Sequence, residues 1–323
     1  MGVGFAAKCG HSTTHSHLGG LCSAGCVAAK STLIRALRPE EGGGDWCPSC
    51  GGVHAKSVGD PRWAANRPPS GVQVTAMRTA IVQMFELQHQ RVLAYYDLLL
   101  VPPVEDKSME QRRTKDAFNK PPIDFSEWTR SDAKKLVPAI EMHYDEGANR
   151  ALARIGVTPD KPWSVHSPGV QRAIERHSIR LCADTAATTS MQLNAAVEAV
   201  KREVSAGLLA EETSRGLLTT AINNIFQDAE RWRAARIAVT EASMALHDGE
   251  ILAGAESGVV TGYEPLISDD ACPICLTFGE AFDFVSMGDA VAGIGEYASA
   301  TSGRVLPPYH PNCACSQIER LND

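Results

Sequence analysis

The residues between positions 71 and 255 place apolar side chains every three or four positions, which is the spacing of amphipathic helices. Each stripe predicts one helix face turned toward a shared core. The predicted helices run from about residue 77 to a point before Pro102, and over 131–155, 168–204, 208–226 and 229–252. Short connections between them favour an antiparallel bundle.

Two prolines and one histidine refine this pattern. Pro168 suits the first turn of a helix, where its missing N–H costs little. Pro138 lies early in the helix that Ser131 would cap, so we expect it to kink that helix or to redefine its start. His177 falls on an apolar face and is interpreted as a core histidine rather than a ligand.

The pattern changes after Ser257. The segments 258–266 and 281–286 read as short strands, and the Gly/Ala/Ser-rich residues 287–304 as a long exposed loop. The first 70 residues are rich in Gly, Cys, His and Pro and cannot build a large apolar core alone. The sequence therefore predicts three domains, at 1–70, 71–235 and 236–323.

Composition limits the classes of protein that this chain could be. It is 44% hydrophobic and 21% charged, which is ordinary for a globular protein. Its formal net charge is −7, so the molecule as a whole does not attract nucleic acid electrostatically. No run approaches 18 uncharged apolar residues, so we expect no membrane span. Ten cysteines in a protein expected to fold in a reducing cytoplasm predict metal binding before disulfides.

Four cysteines and a histidine near the end of the chain have the spacing of zinc ligands. Cys272 and Cys275 are separated by two residues, as are His310 and Cys313, and Cys315 follows. A tight turn points two such side chains at one ion. We favour zinc held by the first pair, by His310, and by either Cys313 or Cys315.

A disulfide, a redox CxxC motif and unrelated buried thiols are the alternatives to a metal site at these cysteines. A redox motif would need a thioredoxin-like βαβ setting, which the surrounding pattern does not offer. Four protein ligands would fill the tetrahedron and leave no position for an activated water, which indicates a structural site. We predict that the protein is not an enzyme and has no small-molecule substrate.

A second cysteine group lies near the start of the chain. Its spacing approaches that of a zinc ribbon, with the candidate ligands Cys22, Cys26, Cys47 and Cys50. A site that includes Cys9 or His11 and a flexible Cys/His-rich tail are the alternatives. With both groups filled, the protein would bind two structural zinc ions per chain.

The C-terminal motifs together resemble a known family. The helical segment AARIAVTEA at 234–242 is followed by Tyr263, Asp270 and the first cysteine pair, and the chain then reaches PPYHPNCAC at 307–315. This succession, over 236–321, is similar to the C-terminal domain of Mu F-like phage head-morphogenesis proteins. That family typically has Trp where Tyr263 stands and Arg where Ala314 stands.

The resemblance implies a minor capsid protein of a tailed phage that acts in head morphogenesis. Its partners would be the portal protein or capsid subunits, with phage DNA as a further candidate and no membrane. It would be found in the virion, in the head interior or at the portal vertex, and in the host cytoplasm during assembly. A zinc-dependent nucleic-acid-binding protein of non-structural type, and an enzyme such as a protease or toxin, are the competing hypotheses.

The fold expected from these observations is mainly α. A helical bundle would form the body, and a small α+β domain clamped by zinc would follow it. A small Cys/His-rich, zinc-ribbon-like module would precede it.

Overall fold

The computed structural model describes residues 44–47, 52–55, 71–96, 121–156, 163–208, 211–268, 271–295, 305–310, 313 and 315–322. Across these stretches the protein is mainly helical, as expected, with a small three-stranded antiparallel sheet and a two-stranded hairpin. None of the helices in these stretches has both the length and the apolarity to cross a membrane.

Five long helices form the body of the protein. They are α1 (Val72–Tyr95), α2 (Ser126–Ile155), α3 (Pro168–Ser205), α4 (Glu211–Asp228) and α5 (Ala234–Ser257). Helix α5 packs against α1 and α2, and α3 packs against α2 and α4. The stripes therefore predicted the helical body correctly, and α3 matches its expected range with Pro168 in the first turn.

Helix α2 begins at Ser126, earlier than the expected start at Ser131. The Asp124 carboxylate accepts a hydrogen bond from the Ser126 backbone N–H at 2.8 Å, which satisfies one donor of the first turn. Phe125 is buried, and its ring packs edge-on against Trp128. These contacts extend the helix beyond its apolar stripe.

Helices α4 and α5 form one continuous helical run, where the sequence suggested two separate helices. A π-helical turn, Ala229–Arg233, joins them. The Arg233 guanidinium turns inward, lies 5.2 Å above the Phe85 ring and donates hydrogen bonds to Thr189 and Gln192. A π turn takes in one more residue than an α turn, so it changes which face of the run meets the core.

Helix α5 lies at the centre of the fold, and every residue from 240 to 251 is buried. Gly147 of α2 and Gly249 of α5 mark the place where the two helix backbones lie closest. A Cβ atom at Gly147 would collide with the Leu246 carbonyl, and one at Gly249 with the Tyr144 carbonyl. The missing side chains therefore set the distance between these two helices.

Burial of α5 encloses its charged residues. Glu241 is fully buried and accepts hydrogen bonds from His177 Nε2 at 2.7 Å and from Arg180 at 2.8 Å. His177 is fully buried as well, so its interpretation as a core histidine is confirmed. Through these two hydrogen bonds, His177 and Arg180 connect α3 to the Glu241 carboxylate of α5 inside the bundle.

A second buried carboxylate connects α5 to the C-terminal part of the chain. Arg154 of α2 donates to Glu250 at 2.8 Å and to Glu319 at 2.9 Å. The Tyr263 hydroxyl donates to the Glu250 carbonyl at 2.8 Å. Burial raises the pKa of Glu250 from 4.5 to about 7, although Arg154 opposes this shift.

A three-stranded sheet packs near the end of α5. Strand β3 (Val260–Leu266) lies between β4 (Val285–Ser286) and β5 (Ser316–Leu321), and both neighbours run antiparallel to it. Tyr263 is fully buried, with its hydroxyl over Gly254 of α5. The sheet therefore shares the core of the helical body.

Two helices replace parts of the pattern expected after residue 266. Helix α6 (Pro273–Ala281) precedes β4, so the expected strand at 281–286 is wrong except for its last two residues. Helix α7 (Met287–Ala292) occupies the start of the expected loop. Ser286 caps it by accepting a hydrogen bond from the Asp289 N–H at 3.2 Å, a local signal that the Gly/Ala/Ser composition obscured.

The N-terminal part is described only as a hairpin. Strands β1 (Gly44–Cys47) and β2 (Gly52–Ala55) pair antiparallel, with Cys47 opposite Gly52. The rest of the expected zinc-ribbon module lies outside the described residues. The three-domain division stays a prediction, and its boundary at 235/236 falls in the continuous run from α4 to α5.

We predict that Gly249→Ala lowers the free energy of unfolding by about 3 kcal/mol or more, because the new methyl group meets backbone rather than a movable side chain. Urea unfolding followed by circular dichroism measures the effect. Gly216→Ala is the matched control, since this helical glycine has open space around its Cα and should gain about 0.5–1 kcal/mol. Equal stability of the Gly249→Ala variant and the parent would contradict the close crossing.

Glu250 should make stability fall as the pH rises. Its pKa is about 7 in the folded protein against 4.5 ordinarily, so the folded state holds the proton more tightly between these values. Stability is then lost from pH 4.5 to 7, by about 3 kcal/mol. Unfolding at several pH values should show that Glu250→Gln removes this loss, whereas Glu256→Gln, at an exposed site on the same helix, keeps it.

Candidate metal centre

The first half of the site is a turn at the start of α6. Cys272 is the N-cap residue of this helix and Pro273 its first residue, so the chain turns sharply between the two cysteines. The Leu276 N–H donates to the Cys272 carbonyl at 3.0 Å. This turn brings the sulfur atoms of Cys272 and Cys275 to 3.9 Å from each other.

The second half comes from the segment before β5. The Tyr309 ring stacks on Phe278 of α6, with centroids 4.9 Å apart, and carries His310 to the cysteine pair. His310 Nε2 lies 3.1 Å from the Cys272 sulfur and 3.0 Å from the Cys275 sulfur. The Cys313 N–H donates to the His310 carbonyl at 3.1 Å, so these two residues also share a tight turn.

Cys313 and Cys315 complete the donor group. The Cys313 sulfur lies 3.6 Å from the Cys275 sulfur. The Cys315 sulfur accepts a hydrogen bond from the Ser268 N–H at 3.5 Å. The five donors form two triads, each within 4.8 Å, and Cys275 belongs to both.

These distances fit a tetrahedral ion. Zinc–sulfur bonds of about 2.3 Å and zinc–nitrogen bonds of about 2.0 Å place neighbouring sulfurs about 3.8 Å apart and sulfur and nitrogen about 3.5 Å apart. The sulfur pairs at 3.9 and 3.6 Å match this spacing. The histidine nitrogen at 3.0–3.1 Å is closer and would need to move by about 0.5 Å to reach that spacing.

The electrostatics of the group favour a cation. The contact with Cys275 holds the pKa of Cys272 well below its ordinary range, and His310 acts in the same direction against burial. The contacts with the sulfurs of Cys275 and Cys315 hold the pKa of Cys313 well below its ordinary range. The same contacts raise the pKa of Cys275. A divalent ion would replace its proton and neutralise the thiolates.

The site is enclosed by apolar side chains and attached to α5. All four cysteines are buried, with Ala271, Tyr309, Ile267 and Phe278 around them. Ser316, next to Cys315, lies with its hydroxyl 3.3 Å from His247 Nε2. The Gln317 side-chain amide donates to the His247 carbonyl at 3.1 Å. The chain that leaves the site is therefore held against the centre of the fold.

The structure brings together every C-terminal residue that the sequence proposed as a ligand. It also shows that Ser316 is buried beside His247, a contact that the sequence did not indicate. Sequence reasoning missed His247, Ser268 and the Phe278–Tyr309 stack. Of these, only His247 had a signal in the sequence: the helical register, which places it in the buried part of α5.

The N-terminal candidates are not tested in this way. Cys22, Cys26 and Cys50, with the alternatives Cys9 and His11, lie outside the described residues. Cys47 is described only by its backbone, as the last residue of strand β1. Asp270 of the family motif also lies outside the described residues.

Comparison with known proteins finds no match, either among family models, among curated proteins or among solved structures.

Zinc should stabilise the parent protein more than a Cys272→Ser/Cys275→Ser variant, because that variant keeps only three of the five C-terminal donors. Free zinc at about 1,000 times its dissociation constant should raise the free energy of unfolding by about 4 kcal/mol. Chemical unfolding with and without a chelator measures this. Cys182→Ser, which changes a buried thiol within α3, is the control and should keep the zinc dependence.

Proposed function

We propose that this chain is a minor structural protein of a tailed-phage head, acting in head morphogenesis at or near the portal vertex. It would bind zinc structurally, associate with portal or capsid subunits, and catalyse no reaction. Its location would be the virion, after assembly in the host cytoplasm.

The support for this proposal is that the residues carrying the resemblance form one connected unit. Glu241 of the helical motif is buried within the bundle. Tyr263 packs on the same helix, α5, through its hydrogen bond to the Glu250 carbonyl. The ligand segment reaches α5 through Ser316 and His247. Motifs that are far apart in sequence therefore serve one structural purpose, as a shared domain would require.

The coordination geometry supports an assembly role over turnover. Cys272, Cys275 and His310 lie together, and Cys313 lies beside Cys275, so these four side chains are the candidates for the four positions of a tetrahedral ion. The sulfurs lie in the interior. An ion held in this way stabilises a fold and has no open position for substrate.

A surface on the π-helical turn offers a contact site for a partner. Trp232 is 61% exposed, and the Arg231 guanidinium lies 5.2 Å from the centre of its ring. Arg236, one turn further along, is also exposed. Tryptophan and arginine supply most of the binding energy in many protein interfaces. We propose that this surface, Arg231–Trp232–Arg236, binds the portal or a capsid subunit.

Trp232→Ala should weaken binding to purified portal or capsid protein by about 30-fold, because truncating a central interface residue costs about 2 kcal/mol. Surface plasmon resonance with both proteins measures the change. Leu208→Ala is the control, since Leu208 is 76% exposed but lies at the α3–α4 connection. If both variants bind as the parent does, the surface is not the contact site.

The competing nucleic-acid function predicts a different dependence on salt. Binding to DNA through phosphate contacts weakens steeply as salt rises, because counterions are released. Affinity for a DNA fragment, measured between 50 and 200 mM salt (roughly the range over which such losses are large), separates the two. A steep slope together with no affinity for portal or capsid subunits would favour the nucleic-acid-binding protein.

The genes beside this one give an independent test. A phage head protein of this kind should have a portal gene upstream and a scaffold or major capsid gene downstream. A neighbourhood without genes for phage structural proteins would count against the proposed function.

A further inference from the structure

We propose that Cys313 and Cys315 are interchangeable fourth ligands of a single ion that Cys272, Cys275 and His310 hold. This inference rests on the metal centre of the proposed function. It goes further, because it assigns a purpose to the fifth donor: the ion can exchange one ligand without leaving the site.

The distances around Cys275 carry the argument. Its sulfur is 3.6 Å from that of Cys313 and within 4.8 Å of that of Cys315. Sulfurs that bind the same zinc ion lie about 3.8 Å apart. Cys313 already has this spacing from Cys275, and Cys315 lies in the same triad. Either sulfur would complete the tetrahedron by moving toward Cys272 and His310, which form the other triad around Cys275.

The two thiols are attached to the protein differently. Cys315 is tied to the body, because the Ser268 N–H donates to its sulfur and strand β5 begins at the next residue. Cys313 is positioned through the turn that it shares with His310. Loss of one attachment therefore leaves the other thiol where it was.

Burial makes a second donor valuable at this place. Both residues lie in the interior: Cys313 is 1% exposed and Cys315 is 0% exposed. Removal of a ligand from an enclosed ion would open a coordination position that solvent reaches poorly. A neighbouring thiol fills that position at once, so the centre tolerates the loss of either one but not of both.

The test counts bound zinc in the full-length protein after dialysis against a weak chelator. Cys313→Ser and Cys315→Ser should each retain as many ions per chain as the parent. The double variant should contain one ion fewer, and so should a Cys272→Ser/Cys275→Ser variant, since each keeps only three of the five donors. The N-terminal cysteines are unchanged in all of these proteins, so only differences from the parent matter, and Cys182→Ser is the control for loss of a buried thiol.

Cobalt substitution provides a second readout that does not depend on the double variant folding. The sulfur-to-cobalt charge-transfer band grows with the number of thiolates on the ion. Equal intensity in the parent and both single variants is expected, since each would have three thiolates and one histidine. A lower band in both single variants would mean that Cys313 and Cys315 bind together, which overturns the proposal.

The remaining outcomes are also decisive. Loss of one ion from either single variant would show that the other thiol cannot replace it. Retention of the ion by the double variant would show that neither is needed. If the Cys272→Ser/Cys275→Ser variant, which keeps only three of the five donors, holds as much zinc as the parent, the metal centre itself fails, and with it the part of the proposed function on which this inference rests.

Discussion

The close crossing of α2 and α5 is the constraint on which the rest of the structure depends. Gly147 and Gly249 leave no side chain between the two backbones, so the helices approach until carbonyl groups lie where a Cβ would be. This approach puts the middle of α5 out of reach of solvent. Each polar group on that stretch then needs a partner inside the protein, since an unpaired buried polar group is costly.

Those partners connect the outer elements to the centre. Glu241 is joined to α3 through His177 and Arg180, and Glu250 to α2 through Arg154. His247 faces the segment that carries the last metal ligands. The candidate metal centre is thus continuous with a network of polar contacts that surrounds one helix. Its ligands come from the start of α6 and from the segment before β5, so an ion there would hold these two elements together.

Local signals in the sequence predicted some parts of this arrangement better than others. Apolar spacing located the long helices, because a helix with one buried face repeats its pattern every turn. Apolar spacing could not reveal the π turn. This turn depends on contacts of the Arg233 guanidinium with the Phe85 ring and the Thr189 hydroxyl, which lie far away in the sequence. The spacing also missed the start of α2, which depends on the Asp124 side chain rather than on an apolar stripe.

The side chains of the candidate metal centre could be grouped from the sequence for a different reason. Cys272 and Cys275, and likewise His310 and Cys313, are separated by two residues. This spacing is typical of a tight turn that brings two ligand side chains together, so both turns could be predicted from the sequence alone. The meeting of the two halves, 35 residues apart for Cys275 and His310, is set by the Phe278–Tyr309 stack and the pairing of β3 with β5, which are not local. For the same reason the sequence left the choice between Cys313 and Cys315 open.

The enclosed stretch of α5 has a consequence for how much of its sequence the fold specifies. An ordinary surface helix packs against the core on one face and faces water on the other. At about half of its positions, packing therefore places little restriction on the residue type. From Thr240 to Glu250 no such free face exists. Nearly every side chain there is surrounded by other parts of the protein, so packing restricts which residue types this segment accepts.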